Sequence, residues 1–264
     1  MDCGRIALLW KEFSVLIPQR IGRGRPPGHS FYDIFRAILW MLETGSQWGN
    51  LPRGFPPRST VHEWYQKWIR QGLFQKFFEK TVYKLEVAGL IDSSETYIDA
   101  TFIRSKGTRD TVGKTKIGKG SKIMAIVDRN DNPISIHIDS AQPHESKLVH
   151  ETLNRCATQK LPERIIGDKA YDCDSLDREL ALKTIKMISP HKKNRKKQKT
   201  QDGRSLRRYK RRWKVELFFA RIQWLRKILI RYEKKVENFL GFVLLATTKN
   251  ILCRKDYMKK VFSG

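Results

Sequence analysis

The apolar residues of this chain change their repeat distance near Gly89, and that change restricts the fold more than any other feature. Before it, Phe31, Ile34, Phe35, Ile38, Leu39 and Leu42 fall at i, i+3, i+4, i+7, i+8 and i+11, the stripe of an amphipathic helix. Val61, Trp64, Tyr65, Trp68 and Ile69 make a second stripe, preceded at Thr60-Val61-His62-Glu63 by the spacing of a capping box. Residues 5 to 17 predict a first helix, ending before Pro18, and a further helix runs from about Phe74 to Val87, stopped by Gly89. After Gly89 the period falls to two. Residues 95 to 103 read as a strand, as do the alternations Ile123, Ala125, Val127 and Ile134, Ile136, Ile138. Asn130-Asp131-Asn132-Pro133 turns between the last two, which makes an antiparallel meander.

The remaining elements extend this pattern. A helix is expected over 145 to 157, a strand from Arg164 to Gly167, a helix over 175 to 183 with Asp174 as its cap, and a strand from Ile185 to Ile188. A long helix then carries Glu216, and a last one, 236 to 253, is apolar on the face of Val236, Phe239, Leu240, Val243 and Leu244. The order β-β-β-α-β-α-β-α predicts an α/β fold, a mixed sheet with helices packed on it. The expected division is a helical domain, 1 to 90, compatible with a helix-turn-helix, and a mixed domain, 91 to 264.

The charge points to the partner. The chain has 264 residues, with 53 Lys and Arg against 27 Asp and Glu, a formal net charge of +26. Such an excess calls for a polyanion, most commonly nucleic acid, with an acidic membrane surface as the plainer rival. Residues 191 to 214 hold thirteen basic residues and one acid, Asp202. As a charge run they read as a solvated segment, and in a DNA enzyme as phosphate contacts, Lys192, Lys193 and Arg195 among them. The segment Gly22 to Gly28, with Arg23 and Arg25, reads as a basic arm able to follow a groove, or as a linker. No apolar run reaches membrane-spanning length and no start reads as a signal peptide, so no membrane partner is expected. Cys3, Cys156, Cys173 and Cys253 are scattered and read as ordinary thiols of a reducing compartment.

Three acids sit where an isolated carboxylate is costly. Asp99 interrupts the strand Thr96 to Phe102, Asp168 closes Ile165-Ile166-Gly167, and Glu216 lies within Trp213 to Phe219. Brought together, they would suit Mg²⁺ or Mn²⁺, which take oxygen donors and keep waters for substrate phosphates. Two such ions about 4 Å apart divide the work of phosphoryl transfer, so a catalytic and metal-binding role is expected for all three. Tyr209 and Arg212 share the helical face of Glu216, at i, i+3 and i+7, and Arg212 could grip a phosphate in bidentate fashion.

Each has a plainer reading. Asp99 could be a surface acid on an edge strand. Asp168 could be a turn or cap acid, a role Asp172 and Asp174 fit better. Glu216 could simply pair with Arg212 along a helix, an interaction worth little. Asp128, Asp131 and Asp139 flank a hairpin and read as turn or solvated acids, Trp213 and Trp224 as core or, near a cleavage site, as a platform for a flipped base, and His144-Glu145 as a weak candidate to approach the acids.

Taken in order, the motifs resemble one family. Gly24-Arg25-Pro26, Leu42 to Trp48 and Leu51-Pro52 look like the N-terminal DNA-binding region of bacterial insertion-sequence transposases of the IS5 group, within the IS4-like DDE superfamily. Asp99-Ala100-Thr101 with Arg104, Lys122-Ile123 through Asp128, Asn132-Pro133-Ile134, Gly167 to Asp172 and Tyr209 to Glu216 follow in that family's order. The resemblance implies an RNase H-like core, a DDE triad at Asp99, Asp168 and Glu216, and Tyr209 and Arg212 as signature neighbours. It also implies divalent metal, terminal inverted repeats and target DNA as partners, a homodimer or larger synaptic assembly, and a bacterial cytoplasmic, nucleoid-associated location. Two positions depart from the superfamily signature: Gln223 stands where a lysine is common and Leu217 where an arginine is. The rivals are a related metal nuclease that cuts without strand transfer and a non-catalytic DNA-binding derivative.

Overall fold

A computed structural model describes residues 3–18, 28–107, 109–196, 198, 200 and 203–254. Arg23, Arg25 and the arm from Gly22 lie outside the described residues, except Gly28. The chain divides into two compact units, Met1–Thr81 with Ile222–Gly264, and Val82–Arg221. The expected boundary near 90 therefore meets a different grouping, in which the chain's last helix packs with its first ones.

The first unit is helical. Its elements are α1 (Cys3–Ser14), α2 (Phe31–Thr44), α3 (Arg58–Arg70) and α4 (Leu73–Val87), the last running on into the second unit. Ser30 caps α2 by accepting the Asp33 N–H at 3.1 Å, and Gly45 ends it in the left-handed region at φ 67°. The capping box does not form: α3 begins at Arg58, after Pro57, so Thr60 to Glu63 already lie within the helix. A proline just ahead of the first turn starts the helix without needing a side-chain cap. Phe13 of α1 stacks on Phe35 and Phe74 and meets Trp68 and Phe77 edge-on. The aromatics that punctuate the stripes are thus the core of this unit.

The second unit carries the sheet. Its elements are β1 (Thr96–Ser105), β2 (Gly113–Thr115), β3 (Gly118–Asp128), β4 (Pro133–Ser140), α5 (Val149–Asn154), β5 (Arg164–Ile166), α6 (Asp174–Leu182) and β6 (Lys186–Ile188). There follow α7 (Gly203–Leu206), a 3-10 turn over Arg207–Arg211 and α8 (Trp213–Gln223). β1 pairs antiparallel with β3 on one side and parallel with β5 on the other, and β6 continues parallel to β5. β3 takes β2 against its first residues and β4 against the rest. The meander is as expected, with the short strand β2 added between its first two members.

Local details differ from the sequence reading where tertiary contacts decide. The helix expected over 145 to 157 is a 3-10 turn at Glu145–Leu148 followed by the short α5. Asp174 is the first residue of α6 and Cys173 precedes it, with no side-chain cap, because Asp174 accepts from Arg195 instead. Asp128 is a buried turn acid rather than a solvated one. It accepts the N–H groups of Asn132, Asn130 and Asp92 at 2.7–2.9 Å, and burial pushes its carboxyl up to about 6.

The chain returns to the first unit with α9 (Arg226–Leu229) and α10 (Val236–Leu252). α10 is buried on nearly every side from Phe239 to Thr248, while Val236 and Leu240 of the expected face are only half-buried. Gly241 lets it approach α3: a Cβ there would lie 2.2 Å from the Ile69 side chain. The Tyr65 hydroxyl donates to the Asn238 carbonyl at 2.6 Å along the same contact.

Candidate functional site

The geometry starts from β1. Alternation along a strand puts Glu95, Tyr97 and Asp99 on one face. Tyr97 pairs with Ile166 in the parallel register, so two further residues on each strand bring Asp99 level with Asp168, just beyond the end of β5. Adjacent strands run about 4.8 Å apart, which sets these two acids side by side. Asp168 also serves its plainer role: its Oδ1 accepts the Ala170 N–H at 2.8 Å and caps the 3-10 turn Lys169–Tyr171.

Glu216, in the first turn of α8, is joined to Asp99 through one side chain. The Arg212 guanidinium donates to Asp99 Oδ2 at 2.7 Å and, through its other nitrogen, to Glu216 Oε1. Arg212 is therefore more than the local i,i+4 partner of Glu216: from its place just ahead of α8 it also reaches the sheet. Tyr209 lies in the 3-10 turn before α8, not on a continuous helix, yet its ring stays 5.7 Å from the Arg212 guanidinium.

A fourth acid joins the group. Glu145 opens the turn after β4 and pairs with Lys122 of β3 at 3.6 Å. Burial pushes its carboxyl up, against Lys122, and the charges of Asp168 and Asp99 push it the same way. Burial likewise raises Asp99, over the opposition of Arg212, with Asp168 adding to the rise. The Tyr171 hydroxyl, buried and without a hydrogen-bond partner, feels Glu145, Asp99 and Asp168 as well. The sequence signal for Glu145 is its place after the third long strand, and that for Tyr171 is its place in the Gly167 to Asp172 motif, which assigns it no role beside the acids.

The donor set suits a hard divalent ion. It is all oxygen, it is crowded with like charge, and it includes a buried hydroxyl with nothing to bond to. Among the described residues the three acids do not close around one point, since Arg212 stands between Asp99 and Glu216. The group whose ligand atoms all lie within 4.8 Å of one another is instead His137, Asp139 and Glu151.

The basic segment is used in two ways. Arg211 makes a bidentate contact to Glu95, 2.7 Å on each arm, and Arg208 adds a third at 3.1 Å. Arg195 is turned inward to Asp172 at 2.8 Å and Asp174 at 2.6 Å, so that expected phosphate contact is spent on the protein. Lys192 and Lys193 are exposed, although Lys192 also gives its backbone N–H to Asp172. Lys197, Lys199 and Asp202 lie outside the described residues. Trp213 and Trp224, expected in the core, are exposed, Trp224 by 84%. Burial of Val215, Phe218 and Ile222 on the other side of α8 leaves the Trp213 indole facing out, and Trp224 follows just past the helix end.

The mixed sheet with its packed helices is an RNase H-like core, with Asp99 inside β1 level with Asp168 beyond β5 and Glu216 on α8 tied to Asp99 through Arg212. The sequence matches the family described as "Transposase DDE domain" over residues 92–251, and the one described as "Putative transposase of IS4/5 family" over residues 8–78. The chain thus belongs to the DDE transposase family, and it is a DNA transposase. It is 30% identical over 113 residues to the "Insertion element IS402 uncharacterized 16.2 kDa protein" of Burkholderia cepacia, covering 40% of this chain and 77% of that one. It is 38% identical over 84 residues to the "Putative transposase for insertion sequence element IS6501" of Brucella ovis, covering 31% of this chain and 62% of that one. In fold it is similar to a piggyBac transposase solved as a synaptic complex with hairpin DNA, with a TM-score of 0.52 at 10% identity, over 99% of this chain and 74% of that one. The family is one of DNA-cleaving enzymes that use divalent metal. Among the described residues no helix is long and apolar enough to cross a membrane.

Proposed function

We propose that this transposase binds the terminal inverted repeats of its own element, cuts at their ends and joins the freed 3′-hydroxyl to target DNA, with Asp99, Asp168 and Glu216 as the metal-binding catalytic acids. The observation that supports the assignment is the register of β1 and β5, which continued by two residues puts Asp99 level with Asp168, while Arg212, just ahead of α8, donates to Asp99 and Glu216 together. Two Mg²⁺ or Mn²⁺ ions bound there would activate the attacking oxygen and stabilise the leaving one.

The protein's own groups do the rest. Arg212 neutralises the acids in the resting protein and, when released from them, is placed to grip the scissile phosphate. Tyr209 sits against that guanidinium and restricts where it can swing. Lys122 holds Glu145 beside the cluster. Exposed Lys192 and Lys193 follow the DNA backbone, and the helical domain, with the arm of Arg23 and Arg25, reads the inverted repeat. Both ends of an element must be handled together, so a homodimer or larger synaptic assembly is the working form, acting on DNA in the bacterial cytoplasm, at the nucleoid.

The test uses a plasmid carrying the element's ends. Asp99→Asn should lower Mg²⁺-dependent cleavage by about 10³-fold or more, the loss expected for several kcal/mol of metal stabilisation, and leave end binding intact. Full metal-dependent cleavage by Asp99→Asn would remove that residue from the site. A pre-cleaved end with a free 3′-hydroxyl, offered with a target plasmid, separates transposase from nuclease: joined products support strand transfer, and cleavage alone rules it out.

A further inference from the structure

The set His137, Asp139 and Glu151 lies apart from the DDE acids and has different chemistry. His137 and Asp139 project from the same face of β4, two residues apart, and Glu151 comes from α5. Asp139 holds one carboxylate oxygen on the Ser140 N–H, which leaves Oδ2 toward His137 at 3.8 Å. Glu151 Oε2 is 3.2 Å from His137 Nε2.

His137 is only 4% exposed, yet its Nε2 has no hydrogen-bond partner. The nitrogen is close to two carboxylates without being aligned to donate to either. A buried polar atom left in this way costs about 1–3 kcal/mol unless something else satisfies it. The separations suggest what that is. Two donors about 2.0–2.1 Å from a tetrahedral ion stand roughly 3.3 Å from each other. The His137–Glu151 distance already meets this, Asp139 Oδ2 stands 3.8 Å from the same nitrogen, and the three ligand atoms all lie within 4.8 Å of one another.

We infer that His137, Asp139 and Glu151 form a second metal site, for a borderline divalent ion such as Zn²⁺ with water as the remaining ligand, which clips β4 to α5. An imidazole nitrogen selects such an ion over Mg²⁺, which prefers oxygen alone. The clip acts on the two elements that flank the Glu145–Leu148 turn, and so steadies Glu145 beside the catalytic cluster.

The test is titration of the chelator-stripped full chain with Zn²⁺ in excess Mg²⁺, followed by calorimetry and by thermal unfolding. One Zn²⁺ should bind this site and raise Tm, and Co²⁺ in its place should give a visible absorption band. Glu151→Gln is the decisive variant, because its side chain is 63% exposed and the change leaves packing alone. It and His137→Gln should each weaken Zn²⁺ binding by about 10- to 100-fold or more, since loss of even an outer-sphere partner costs that much. Asp99→Asn should leave the affinity unchanged. Absence of Zn²⁺ binding, or binding that Glu151→Gln does not weaken, overturns the site whether or not His137→Gln folds.

Discussion

Glu95, immediately before β1, and Asp99 within it stand four residues apart on one side, and consecutive arginines, Arg211 and Arg212, reach out to them. The two pairs have opposite electrostatic outcomes. Burial would raise Glu95, yet the Arg211 contact, the Tyr97 hydroxyl and Arg208 together hold its carboxyl below the ordinary glutamate range. Burial raises Asp99 too, and there it outweighs Arg212 and the Ala100 N–H, with Asp168 adding a smaller push the same way. One acid is locked by a surplus of cation. The other is kept short of cation, with further carboxylates beside it. The first pins the basic segment to β1; the second is the better place for an added divalent ion. Proximity of an arginine to an acid does not distinguish a structural pair from a functional one, whereas the net balance of burial, donors and neighbouring charge does.

The contrast can be broken by substitution. Glu95→Gln should cost about 2–3 kcal/mol in denaturant unfolding, the worth of charged hydrogen bonds to a buried acceptor. That stability belongs to a carboxyl with a lowered pKa, so in the wild type it should be present above pH 4.5 and lost as pH falls through the folded value. An unchanged midpoint for Glu95→Gln would mean that the pair holds nothing.

Arg212→Met sharpens the metal side. It removes the cation an incoming ion must displace, so Mg²⁺ should bind about tenfold tighter, roughly 1.4 kcal/mol, and raise Tm more than in the wild type. A smaller Mg²⁺ effect in the variant would show that Arg212 does not compete for the acids. Cleavage should fall nonetheless, since the guanidinium is lost as a phosphate ligand.

Asp99→Asn should move stability the other way from Glu95→Gln. With a raised folded pKa, ionised Asp99 weakens the metal-free protein as pH rises above the ordinary aspartate value of 3.8. At pH 7 without metal, the variant should therefore be more stable by up to about 1 kcal/mol, or about 2–4 °C in Tm, and the gain should vanish in acid. Destabilisation as large as that of Glu95→Gln would erase the distinction between the two acids. The smallest effect concerns the free part of the basic segment. Lys193→Ala should reduce the salt slope of DNA binding by about one without changing sequence preference, whereas Arg195→Ala, already committed to Asp172 and Asp174, should act through stability.

Much of the layout was legible because it rests on short-range pattern. The stripe from Phe31 to Leu42 became α2, and the alternations became β1, β3 and β4, since periodicity fixes which face is buried whatever lies opposite. The errors cluster where a distant partner intervenes. Asp174 fits a cap by sequence and is taken by Arg195; Trp213 and Trp224 fit a core by residue type and face outward; α10 has one apolar face by pattern and is enclosed on nearly all. Glu95 escaped notice because nothing nearby in sequence shows that Arg208 and Arg211, more than a hundred residues later, return to it.

By itself, the sequence determined the kinds of element, their order, the excess of positive charge and the acids that interrupt apolar runs, because these follow from side-chain type and spacing. Only the tertiary structure decided which acids meet. The parallel register of β1 with β5 sets Asp99 level with Asp168, the turn after β4 brings in Glu145, and Arg212 links Glu216 to Asp99 while standing between them. The separations of 69 and 48 residues between the three acids carry no distance until the sheet forms. Neither does spacing reveal whether a carboxylate has enough cation around it, since that balance is a sum over neighbours drawn from the whole unit.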